Sequence, residues 1–388
     1  MSFSEGDGRI QLASVLARTF WRCTELVARG AIHIGERLNR LPRIMGRTES
    51  KRCDTTQLLE ELARREIIES RDNQGLGPSL TEMSAGSSIS VVLAKSPDGL
   101  SVVKATDSPK GRIELERAVS MADSIHTDPR LESWARHVPR VLTHGAWRNI
   151  SYAVEEFVSQ PPSTSRESFS PPLLRDVLRF IDGFHSLTAE LVKVGDTELE
   201  LLVDQPLRAL SNARLPLYGR WRSQHLARLG HLLRKELNNS HQMMSWTHGD
   251  MHRGNLIART PDPQTWALID WGRGSYTGLS LLDGVYFLLT EFASTTGQEL
   301  GPCVSSALRV MSKASSLATT SLLNDISNYV ESKSTLDPRV VVLLTWLQHV
   351  HGNISFESTP ESDLLWTLRT VDTVLFATSQ FKQVKRSA

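Results

Sequence analysis

Apolar residues recur along this chain with two different periods, and the change from one to the other divides it. Leu12, Val15, Leu16, Phe20, Cys23, Leu26 and Val27 stand three or four residues apart, the spacing of an amphipathic helix. Gly30 and Gly35 interrupt that pattern and Pro42 breaks it. TTQLLEELARREIIE (55–69) then offers good helix formers throughout. From about residue 76 the period shortens to that of strands. ISVVLA and LSVVKA are β-rich runs joined at Ser96-Pro97-Asp98-Gly99, and Asp-Gly after Pro predicts a hairpin. SAGSS (84–88) predicts an earlier turn, ahead of the first of these runs. A helix is expected from Arg112 to about Ile125, followed by strands in VPRVLTHGAW and ISYAVEEFV. A low-complexity link begins at Gln160-Pro161-Pro162-Ser163 and runs to Pro172. Beyond it the helical period dominates, as in LLRDVLRFIDGFHSL and LARLGHLLRKEL. The pattern predicts an α+β chain in three parts: a helical extension over 1–75, a β-rich lobe over 76–158 and a larger helical lobe over 159–388.

Composition changes this picture little. The 388 residues suit two or three domains, and 40 % apolar with 22 % charged residues is ordinary for a soluble globular chain. Lys plus Arg (44) nearly equals Asp plus Glu (43), which gives no support to nucleic-acid binding. No apolar run approaches the length of a membrane span, and MSFSEGDGRI lacks the layout of a secretion signal. Cys23, Cys53 and Cys303 are too scattered for a disulfide framework or a zinc site, so a reducing cytoplasm is expected. Charge is uneven only at the start. Residues 1–53 carry ten Lys/Arg against five Asp/Glu. That excess fits either a helical pair with a solvated basic face or an arm that docks a partner or an acidic surface.

One stretch, SWTHGDMHRGNLIA, crowds polar groups between apolar flanks. Asp250 and Asn255 precede a short strand, LIA; the turn-rich PDPQ (261–264) follows, then a second strand, WALID. A hairpin would bring Asn255 and Asp270 to neighbouring strand ends, where their oxygens could hold a hard divalent cation. Asp250 would stand beside that metal rather than on it. Phosphoryl transfer requires such parts: one carboxylate orients or deprotonates the attacking hydroxyl, while an Asn and an Asp hold magnesium against the triphosphate. Two other readings stay open for these residues, a zinc trio of His248, Asp250 and His252 and a merely structural polar turn.

HGDMHRGN followed by LIDWG resembles the catalytic signature of the aminoglycoside phosphotransferase and choline kinase family, which has the protein-kinase-like fold. The resemblance covers roughly residues 78–290 and implies a bilobal enzyme that uses ATP and Mg2+. It makes Asp250 the catalytic base and Asn255 and Asp270 the magnesium ligands. It gives His248 a bracing role, and Asp283 resembles the family's buried aspartate that steadies the loop. Gly249 and the Asp270-Trp271-Gly272 triplet favour small-molecule kinases over protein kinases. Arg253 stands where relatives commonly carry Pro.

The other parts of such a site have candidates. Lys104, at the end of LSVVK, is either a surface lysine or the lysine on the phosphates with a carboxylate partner from the next helix. Glu116 is the expected partner, with Glu114 as the alternative. Gly86, Ser87 and Ser88 resemble the phosphate-covering turn, where Gly86 permits close backbone approach. Glu156, Phe157 and Val158 would run past the adenine, with Glu156 and Val158 placed among the nucleotide contacts. His185 is expected to be a core or surface histidine.

The acceptor is less legible. Residues 284–388 hold nine acidic and eight basic side chains, whereas focusing a polycation needs a one-signed cleft. Three activities are therefore expected in order: transfer of the γ-phosphate to a hydroxyl of a small molecule such as an antibiotic, sugar or amino alcohol; transfer to a peptide Ser or Thr held by residues 1–53; and a non-catalytic binding module. Neither nucleic acid nor membrane is an expected partner.

Overall fold

The computed structural model of the protein describes residues 55–65, 67–68, 88–96, 99–159, 171–213, 215, 219–257, 262–312, 321–356 and 364–379. The basic arm expected over 1–53, and Gly86 and Ser87 of the expected phosphate turn, lie outside these residues. The chain from Arg52 onward forms one compact unit.

Helix α1 (Thr56–Arg64) buries Leu58 and Leu62, one turn apart, on the outer face of a sheet. It ends before the 69 expected from composition. The Ile67 amide donates to the Leu62 carbonyl, five residues back, which closes the helix and returns Ile68 to the same core. This helix therefore packs with the sheet, inside the compact unit that begins at Arg52.

The sheet holds β1 (Ser90–Ser96), β2 (Gly99–Thr106), β3 (Val141–Trp147) and β4 (Ile150–Glu156), antiparallel in the order β1-β2-β4-β3. The hairpin expected at 96–99 is present as β1–β2. Alternation along the strands gives the sheet two working faces. Val92, Val103, Ala105, Tyr152 and Val154 face α1. Lys104 lies opposite Val91 and Ala153, on the other face. Helix α2 (Pro109–Thr127) packs on that second face through Leu115 and Val119. It starts at Pro109 rather than Arg112 because Ser108 caps it, its hydroxyl accepting from the Gly111 amide, with Pro109 in the first turn.

The larger part of the unit is helical. It contains α3 (Pro171–Thr188), α4 (Gly219–Leu237), α5 (Leu281–Thr296), α6 (Leu300–Ser312), α7 (Ser321–Glu331), α8 (Pro338–Phe356) and α9 (Thr373–Ser379). Between them run a three-stranded sheet, with β5 (Glu190–Lys193), β6 (His241–Thr247) and β9 (Ser275–Leu279), and a short hairpin of β7 (Leu256–Ile257) and β8 (Ala267–Leu268). That hairpin is the one expected around PDPQ. Phe184, Trp266, Phe287 and Trp346 are fully buried. Arg222 forms a buried two-pronged pair with Asp372, ahead of α9.

Helix α8 is buried on nearly every side, as an all-round apolar helix must be. Its C-terminal end meets the β-rich lobe. Lys110 Nζ donates to the Ile354 carbonyl at 2.9 Å, the Ser88 hydroxyl to the Phe356 carbonyl at 3.4 Å, and the Arg117 guanidinium lies 5.2 Å over the Phe356 ring. Among the described residues no helix is long and apolar enough to cross a membrane.

Leu62→Ala tests whether α1 is part of this unit. Removing a fully buried leucine from the sheet face should cost about 2–5 kcal/mol in urea denaturation; an unchanged midpoint would detach α1 from the sheet.

Candidate active site

Strand β6 ends at Thr247 and leads directly into His248-Gly249-Asp250. Asp283, at the start of α5, holds that turn from beneath. Its Oδ2 accepts from the His248 amide at 2.7 Å and its Oδ1 from the Gly249 amide at 2.8 Å, while His185 Nε2 lies 3.0 Å from Oδ2. Burial opposes the charge on Asp283, but these partners outweigh it and hold the carboxyl below its ordinary pKa. Gly249 turns with φ +75°, and a Cβ there would press on the Arg273 carbonyl, so only glycine fits. His248 accepts from the Asp250 amide at Nδ1 (3.2 Å) and donates from Nε2 to the Ile269 carbonyl (2.9 Å). Both ring nitrogens are thereby committed within the protein. That removes His248 from the zinc trio and gives it the bracing role expected of it.

The β7–β8 hairpin brings the two other oxygen-bearing residues together. Asn255 enters β7, and its carbonyl accepts from the Ile269 amide at 2.9 Å, one residue before Asp270. Its Nδ2 donates to the Asp250 carbonyl at 2.9 Å. Asn255 thus ties Asp250 to the Asp270 turn through two hydrogen bonds. Asp270 is left-handed (φ +66°, ψ +64°), a costly conformation for a residue other than glycine. After it Trp271 fills the core, its ring edge-on to His248 at 4.8 Å and its indole N–H on the Leu268 carbonyl. His252 lies within the fields of both Asp250 and Asp270. Asp250 itself is mostly enclosed. Burial works against its charge, yet Arg273, with Nη1 3.7 Å from Oδ1, and His252 hold its carboxyl below the ordinary range.

Lys104 reaches across from β2. Its ammonium lies 3.1 Å from Glu155 Oε1 and 3.5 Å from Asp270 Oδ1. Burial would drive its proton off, but these two carboxylates more than compensate and hold the pKa above the ordinary lysine value. The partner expected from α2 is therefore replaced. Glu116 is exposed on the outer side of that helix, and Glu155, two residues along the same face of β4 from Ala153, takes its place. Glu114, the alternative, lies against the Asp270 turn: a Cβ on Gly272 would be 2.7 Å from Glu114 Cγ.

The remaining candidates separate. Ser88 directs its hydroxyl to the end of α8. Glu156 is exposed, its side chain accepting from the Arg140 amide at 3.2 Å. Val158 is buried with Ile257, Ala267 and Ile269. His185 is a buried support through Asp283. Four features were not anticipated: Glu155; Arg273; the two-pronged Arg253–Glu291 pair (3.1 and 2.6 Å) that anchors the loop to α5; and the face of α8 that lies on Arg273. Strand parity could have pointed to Glu155. The others depend on contacts far apart in sequence.

A profile of the phosphotransferase enzyme family matches residues 86–288. No curated protein matches the chain in sequence. Among solved structures, the chain is similar to aminoglycoside phosphotransferase APH(4)-Ia, with 13% identity, 83% of this chain and 99% of that chain covered, and a TM-score of 0.52. It is also similar to a thermostable mutant of that enzyme in ternary complex with ADP and hygromycin B, with 13% identity, 84% and 100% coverage and a TM-score of 0.51. At this identity the likeness is one of fold. It bears out the α+β, protein-kinase-like architecture expected from the sequence.

Gly249→Ala tests the turn on which the site depends. A left-handed alanine that displaces the Arg273 carbonyl should cost about 2–4 kcal/mol in chemical denaturation. Stability equal to that of the parent chain would show that the turn tolerates a side chain.

Proposed function

The chain belongs to the phosphotransferase enzyme family, and from that premise we propose that it transfers the γ-phosphate of ATP to a hydroxyl of a small molecule such as an antibiotic, a sugar or an amino alcohol. The observation that carries this reading is that two hydrogen bonds of Asn255 tie it to Asp250 and to Ile269, the residue before Asp270. The solved relative named above binds ADP and hygromycin B together, which is the pairing of nucleotide and hydroxyl acceptor proposed for this chain.

The residues fit magnesium. Asn255 uses its amide nitrogen on Asp250, which leaves Oδ1 for a cation, and the Asp270 side chain is about half exposed (48 %). Both offer hard oxygen donors, the chemistry magnesium prefers. When bound, the ion would neutralise phosphate charge and orient the triphosphate. Lys104, kept charged by Glu155 and Asp270, supplies a second positive charge to the phosphates. Adenine would lie over the Val158 patch. The Glu156 and Phe157 amides already donate to the carbonyls of Arg140 and Leu100, so Val158 is the residue left to offer an N–H to the ring edge.

In the transfer, the acceptor oxygen bonds to the γ-phosphorus as the bond to the β–γ bridging oxygen breaks and ADP leaves. The hydroxyl proton passes to Asp250. A carboxylate held ionised by Arg273 and His252 orients that hydroxyl throughout and accepts the proton late, which suits a loose transition state. The single free cysteine among the described residues, the buried Cys303, is compatible with a reducing cytoplasm.

Asp250→Asn should lower turnover by about 10²–10⁴-fold and leave nucleotide affinity within about twofold; turnover at the parent rate would remove Asp250 from its role. Asp270→Ala should weaken magnesium-dependent nucleotide binding at least about tenfold by titration calorimetry. Equal affinity with and without magnesium in both chains would refute the cation assignment.

A further inference from the structure

Helix α8 brings to the cleft a polar pair that this chemistry leaves unused. His349, Gly352 and Asn353 stand three and four residues apart and share one face of the helix. That face lies on Arg273: a Cβ on Gly352 would be 3.3 Å from Arg273 Nη1, the atom that reaches Asp250. The charged groups whose fields reach His349 are Arg273, Asp250 and His252, which puts the imidazole on the side of α8 that faces Arg273. Tyr286 of α5 stacks on it, with ring centres 5.3 Å apart.

Asn353 is 5 % exposed, and its Nδ2 lies 3.1 Å from His349 Nε2. An imidazole that accepts at Nε2 carries its proton on Nδ1 when neutral. Burial, reinforced by Arg273, pushes the His349 pKa down to about 4, so the ring is neutral at pH 7. The pair therefore keeps one donor, His349 Nδ1–H, and one acceptor, Asn353 Oδ1. Both atoms are buried without a hydrogen-bond partner. Buried polar atoms in this condition are rare and costly, and a ligand reaching this face of α8 would complete them.

We infer that His349 and Asn353 form a subsite that binds an uncharged, hydroxyl-rich acceptor, a sugar or cyclitol, through a hydroxyl next to the one that is phosphorylated. This rests on the phosphotransferase reading above and narrows its acceptor class. A hydroxyl both donates and accepts, so it answers Asn353 Oδ1 and His349 Nδ1–H alike. An ammonium has donors only. It would satisfy Asn353, leave the imidazole N–H unanswered and stand near the Arg273 guanidinium. The surroundings thus select against a polycation at this point.

The test uses the full chain with ATP and Mg2+ and two acceptor pools. One holds glucose, ribose and myo-inositol; the other holds kanamycin, hygromycin B and ethanolamine. Transfer is read by mass, and nucleotide affinity is read in parallel with a fluorescent ATP analogue. The polyol pool should be phosphorylated. His349→Leu and Asn353→Leu should each raise the acceptor KM about tenfold, with nucleotide affinity unchanged. His349→Asn, which keeps an N–H close to the position of Nδ1, should return the KM to within about threefold of the parent. A packing role would not separate His349→Asn from His349→Leu, so equal losses in the two overturn the subsite, as does an unchanged KM in the leucine variants. Transfer confined to the ammonium pool overturns it without recourse to any variant. Nucleotide binding with transfer to neither pool also overturns it and leaves the nucleotide site standing. Absent nucleotide binding would remove the phosphotransferase reading, and the subsite with it.

Discussion

A carboxylate shut away from water decides where the loop at 248–250 stands. An isolated buried charge would be prohibitively costly, so Asp283 persists only because it accepts from the His248 and Gly249 amides and lies against His185. Those bonds pull the loop backbone inward at two consecutive residues. The chain can continue from there only through a left-handed turn, and Gly249 permits it. Asp250 emerges on the far side, toward Arg273 and the cleft. The position of Asp250 is thus set by a residue more than thirty positions later in the chain.

The second organising element is ionic and joins the two lobes. Lys104 comes from the sheet, Glu155 from the neighbouring strand and Asp270 from the hairpin of the helical part. A lysine so enclosed needs both carboxylates to stay charged, and each carboxylate is held by the lysine in turn. Glu155 is almost as enclosed as the lysine, whereas Asp270 is half open. The enclosed pair provides the fixed support, and Asp270 is the member left open to solvent.

Local features were legible in the sequence. The Asp-Gly turn, the alternating strands and the two arms around PDPQ are set by neighbours a few residues apart, and the adjacency of Asn255 and Asp270 followed from them. The partner of Lys104 did not. It depends on how α2 is rotated about its axis, which its buried stripe fixes: Leu115, Ala118, Val119 and Ala122 face inward. That leaves Glu116 on the outer side and turns Glu114 toward Gly272. Glu155 was equally hidden, because its place depends on the β2–β4 register. Arg273, His349 and Asn353 meet only through tertiary packing of a helix with no recognisable motif. The end of α1 escaped for a different reason: composition favoured helix through Glu69, whereas burying Ile68 on the sheet required the helix to close first.

The tail of α8 has a mechanical consequence. Its attachments to the β-rich lobe are an ammonium on a carbonyl, a long hydroxyl contact and a cation over a ring. None is an enclosed ion pair, and contacts of this kind are worth about 1 kcal/mol each. Separating the β-rich lobe from this end of α8 would break these contacts before disturbing either core, at small energetic cost. Because Gly352 of the same helix lies on Arg273, this attachment also sets how firmly the neighbour of Asp250 is backed.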